Sequence, residues 1–100
     1  MKNILLIVVS GLMLSSVAYA DANKGKKLYM KKMKASCGFS GGKFATKHTQ
    51  DEWEKINDSG LFSKEISKIC PGFKLKDKYI KDVYDFSYEY ASDSGNVPSC

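Results

Sequence analysis

The stretch Gly25 to Lys43, GKKLYMKKMKASCGFSGGK, constrains this chain more than any other. Leu28, Tyr29 and Met33 recur at helical spacing and lead to Ser36 and Cys37, while lysines fill the positions between them. A helix from Asn23 to about Ser36 is predicted, with Tyr29, Met33 and Ser36/Cys37 turned to one side. Gly38, Gly41 and Gly42 follow closely, so the helix is expected to stop at the cysteine and open into a loop over Gly38–Lys47. Gly25, in the first turn, leaves room for another helix to cross closely.

Three more helices are predicted downstream. Thr49 and Glu52 form a capping box for a helix running to about Asp58, with Trp53, Ile56 and Asn57 inward and Gly60 ending it. Ser63 is the expected cap of the next, whose inner stripe is Ile66, Ile69 and Cys70 before Pro71-Gly72 stops it. After a link over Phe73–Lys76, the longest helix is expected from Asp77 to about Ala91. Ile80, Val83, Tyr84, Ser87 and Ala91 make its apolar face, widened by Tyr79, Phe86 and Tyr90. The turn-rich segment 92–100 is expected to be a flexible tail. No stretch reads as a strand, which makes the fold class all-α.

Residues 1–20 have the three parts of a secretory signal: Lys2, an apolar run over Ile4–Leu14, and Ala18-Tyr19-Ala20 ahead of Asp21. The apolar run is too short to span a bilayer, which takes about 20 residues. The expected location is therefore the periplasm, with membrane contact only through the cleaved signal. Export also excludes nucleic acid as the natural partner. The mature chain of 80 residues is one small domain, a size that usually needs a disulfide, metal or cofactor to staple it. Its three cysteines, Cys37, Cys70 and Cys100, cannot all pair with one another, so one is left free or bonds to a second molecule. Without Lys2 the chain has 15 lysines, no arginine and 11 acids, a net charge of +4 that reads first as a solvated lysine-rich surface and, for a partner, favours a protein with an anionic face or lipid headgroups.

Small c-type cytochromes open with a helix of the form G-x-x-L/F-Y/F-x-x-x-C-x-x-C-H-G, often followed by a Gly-Lys pair. Gly25, Leu28, Tyr29 and Gly38 fall in place here, with Gly42-Lys43 nearby, and the chain resembles that family in degenerate form. Met33 and Ser36 stand where the family has its two thioether cysteines, and Cys37 where it has the axial histidine. The helix that ends at Cys70-Pro71 lies where the family carries Met-Pro, the other axial ligand. The resemblance implies a small four-helix cytochrome c-like domain over residues 21–91. Its last helix would cross the first at Gly25, with Tyr84, Ser87 and Tyr88 placed to meet that glycine. It also implies that covalent haem is lost, because thioether attachment needs both thiols.

Cys37 and Cys70 would then occupy the two axial positions, and the resemblance implies a bond between them, with Cys100 left as a free thiol or dimer link. Pairings of Cys100 with Cys70 or with Cys37 stay open, since nine extended residues reach about 30 Å. The function implied is an exported, haem-less, non-catalytic binding or accessory module, in a periplasmic redox complex for instance. The alternative is an electron-transfer protein holding haem non-covalently through Cys37 or His48, or copper on Cys37, Cys70, Cys100, His48, Met30 and Met33. An enzyme is not expected. There is one histidine and no C-x-x-C, and Asp51, Glu52 and Glu54 are explained by the helix dipole.

Overall fold

The computed structural model describes residues 22–100, so the signal peptide read over residues 1–20 lies outside them. Among the described residues the chain is all-helical, with five helices and no strand. Helix α1 covers residues 22–37 and contains a π-helical turn, Tyr29–Met33, before its last stretch Lys34–Cys37. Then follow α2 (Gly41–Ala45), α3 (Gln50–Asp58), α4 (Phe62–Ile69) and, after a 3-10 turn at Asp77–Tyr79, α5 (Ile80–Glu89).

The π turn explains how α1 keeps one face inward over its whole length. Ala22, Gly25, Tyr29, Met33 and Cys37 are all buried, so the buried face advances by three residues once and then by four each time. A regular helix of 3.6 residues per turn would drift off that face. The Lys34 N–H instead reaches back five residues to the Tyr29 carbonyl, adding a residue to one turn and cancelling the drift. Cys37 is therefore turned inward and Ser36, one residue earlier, is exposed.

Helix α2 was expected to be loop, and the four-helix expectation becomes five. Its glycines hide the pattern, but the Ser40 hydroxyl accepts a hydrogen bond from the Lys43 N–H, and Phe44 and Ala45 are fully buried. Helix α4 also differs, since Ser63 is not its cap. The helix starts two residues earlier than that cap implies, at Phe62, whose ring is held 5.7 Å from Trp53 and 5.9 Å from Tyr84. The Ser63 hydroxyl is left buried, with no hydrogen-bond partner among the described residues. At α3 the capping box is present as read, with Thr49 and Glu52 satisfying each other's backbone N–H groups.

Helices α1 and α5 cross at Gly25. A Cβ there would run into the Asp82 carbonyl and come within 2.7 Å of the Phe86 Cβ, so only glycine fits. The Asp82 carbonyl and the Phe86 Cβ make the closest approach here, rather than the expected Tyr84, Ser87 and Tyr88. Tyr84 turns toward Phe62 and Tyr88 packs at a tilt against Tyr84, while the Ser87 hydroxyl is bonded to the Val83 carbonyl. Between the helices lies a chain of rings: Tyr29 packs on Phe44 and Phe86, Phe44 on Trp53, and Trp53 on Phe62. All five are buried and form the heart of the core. None of the helices described is long and apolar enough to cross a membrane.

Candidate functional site

Cys37 and Cys70 are joined in a disulfide, with Cα atoms 4.2 Å apart and a sequence separation of 33. Each stands at the end of a helix, immediately before a turn that requires glycine. Gly38 ends α1 in the left-handed conformation, φ 82°, and its N–H bonds the Lys34 carbonyl. Beyond α4 the chain turns through Cys70-Pro71-Gly72-Phe73, with φ 87° at Gly72 and the Phe73 N–H donating to the Cys70 carbonyl. The Ser67 hydroxyl donates to the Phe73 carbonyl and holds that turn against α4. Two helices that need not touch are thus bolted together where both chains reverse.

Of the degenerate motif positions, Met33 is buried in the core, Ser36 is exposed, Cys37 is in the bond and Gly38 is an exposed turn residue. Met33 and Ser36 offer no thiol for a thioether, the Cys37 and Cys70 sulfurs are bonded to each other, and the interior is filled by aromatic rings.

His48 is a structural link rather than a free ligand. Its ring stands edge-on to Trp53 at 4.7 Å, and its Nε2 is 2.7 Å from the Glu65 carboxylate of α4. Nδ1 lies 3.7 Å from Glu52, whose carboxyl is held below the usual carboxylate range chiefly by the Thr49 N–H that it accepts. Met30 is on the surface, about half exposed. Among the described residues no three His, Cys, Asp or Glu side chains are grouped to hold a metal.

Cys100 is the free thiol. The segment 92–100, read as a flexible tail, is laid back over the helices. The Ser92 N–H donates to the His48 carbonyl, Asp93 accepts from the Gln50 N–H, and Lys26 reaches the Ser99 hydroxyl at 2.6 Å. The sulfur ends against Gly41, where an added Cβ would come within 2.5 Å of it and within 3.0 Å of the Phe86 ring. Tyr29 lies beneath, fully buried, its hydroxyl donating to the Phe39 carbonyl at 2.5 Å. Burial first, and then negative charge on Cys100, push its pKa up to about 12.

Sequence reasoning missed two groups. Phe44 and Phe62 belong to the ring chain, but one lay in a glycine-rich stretch and the other ahead of the assumed cap. Tyr79, read as part of the inner face of the last helix, is half-buried with the ammonium groups of Lys32 and Lys78 over its ring at 5.8 and 5.1 Å. The chain matches no family model, no curated protein and no solved structure.

Proposed function

We propose that this chain is an exported, cytochrome c-like scaffold that has lost haem and works as a binding or accessory module. The observation that carries the reading is the Cys37–Cys70 bond, which joins the two residues that stand at the family's axial positions. In a cytochrome a haem iron would link those two points through its two axial bonds. Here a covalent bond spans them directly, and Tyr29, Phe44, Trp53, Phe62 and Phe86 supply the apolar bulk of the interior. The Gly25 crossing of α1 with α5 adds support, since the family packs its first and last helices together in this way. Cys37, Cys70 and His48, three of the donors offered for haem or copper, have other partners. A binding role follows from what is left outside: a lysine-rich surface, detailed below.

The test is expression with export in a host carrying haem-attachment machinery, followed by an absorption spectrum and a haem-peroxidase stain of the denatured protein. A colourless protein with a blank stain is expected. A stained band at the mature mass, or a Soret band that survives purification, would overturn the haem-less reading and favour the electron carrier.

A further inference from the structure

The outer side of α1 and the link before α5 meet around one ring, Tyr79. Two open grooves of about 280 Å³ each flank it. One is lined by Lys24, Lys27, Leu28, Lys31 and Asp82, the other by Lys32, Phe73, Lys74 and Lys76, and Tyr79 walls both. The lysines are exposed, whereas Leu28, Phe73 and Tyr79 are half-buried at the groove floors. None of these lysines forms an ion pair among the described residues, although Asp82 stands on the rim. Three other acids, Glu54, Asp58 and Asp85, stand near Tyr84 and, after burial, help to push its pKa up to about 12. Around this ring six lysines line the two grooves against one acid, Asp82.

We infer that the Tyr79 grooves dock an acidic protein segment, its carboxylates on the lysine rims and an apolar or aromatic side chain against Leu28, Phe73 and Tyr79. Charge complementarity selects an anionic partner and speeds the encounter. The recessed floor selects protein over lipid. A membrane surface is engaged by apolar residues that project, and the large apolar residues exposed here, Met30, Leu61 and Val97, line neither groove. A side chain from a polypeptide can enter a groove floored by a ring. The inference deepens the binding-module reading and rests on it for its purpose, but the docking can be measured whether or not haem is present.

The probes are poly-glutamate and a random copolymer of glutamate and tyrosine, titrated into the isotopically labelled mature protein and followed by amide NMR shifts. Shifts confined to residues 24–32 and 73–82 are expected, tighter for the copolymer than for poly-glutamate and weakening with added salt. Lys31→Glu with Lys76→Glu should weaken binding about tenfold, whereas Lys55→Glu with Lys68→Glu, on α3 and α4, should leave it near the parent value. Tyr79→Ala should bring the copolymer down to the affinity of poly-glutamate. Shifts spread over all lysines, or equal losses from the two double variants, would overturn the site. Tighter binding to phosphatidylglycerol vesicles, not displaced by the copolymer, would overturn it in favour of a membrane surface. An absorption spectrum of the same sample reports on haem separately, so the docking site and the haem-less reading can fail independently.

Discussion

The two ends of α1 are fastened by opposite means. At Gly25 the helix is held by shape alone, pressed so close to α5 that the Asp82 carbonyl occupies the space of a side chain. At Cys37, 12 residues on, it is held by a covalent bond to a segment beyond α4. The first fastening stabilises only the folded state. The second also acts on the unfolded chain, by closing a loop that would otherwise be free. A domain of this size has a small margin, and using both kinds of closure lets one helix anchor two others around a core of five rings.

Breaking the covalent end should have the largest effect. Cys37→Ser or Cys70→Ser is expected to lower stability by about 3–4 kcal/mol, the chain-entropy value for a loop of this length. The double variant should be little worse than either alone, since one bond is lost in each case, and urea unfolding measures all three. At the shape-held end, Gly25→Leu should cost about 1–3 kcal/mol through overpacking. The two ends are about 18 Å apart along the helix, so Gly25→Leu and Cys37→Ser should add to within about 0.5 kcal/mol. A large departure from additivity would mean that the crossing and the bond depend on one another.

The fastening points were legible in the sequence for different reasons. Gly25 and the apolar stripe of α1 follow from periodicity and from glycine in a lysine-rich turn. The bond between Cys37 and Cys70 came only through the resemblance to a haem-binding frame, because three cysteines alone allow three pairings. Helix α2 was hidden because its first two residues are glycines, and its evidence is the Ser40 cap and the burial of Phe44. The start of α4 was misplaced because a buried aromatic, Phe62, outweighed a good capping residue. Tyr79 was placed on the inner face and does pack against the core, half-buried, but the ammonium groups of Lys32 and Lys78 over its ring leave no periodic signal in the sequence.

Smaller effects sharpen the picture around the core. Tyr29→Phe removes the hydroxyl bond that ties α1 to the Phe39 carbonyl and should cost about 1 kcal/mol. The same residue sets an alkaline limit. Tyr29 and Tyr84 are both pushed up to about 12, above the ordinary 10.0, so the folded state keeps protons that the unfolded chain releases. Stability should hold up to pH 10, fall as the pH rises from 10 toward 12, and fall less steeply in Tyr29→Phe. Tyrosinate absorbance recorded alongside unfolding checks the window. Cys100→Ser should have the smallest effect, under about 1 kcal/mol, because that sulfur makes no bond and is only half-buried.

The most direct measurement is a peptide map of the oxidised mature protein, alkylated and digested without reduction. A single linked pair containing Cys37 and Cys70 is predicted, with Cys100 recovered as the alkylated free thiol. A linkage that includes Cys100, or recovery of both Cys37 and Cys70 alkylated, would contradict the account that this bond spans the place where a haem would be held.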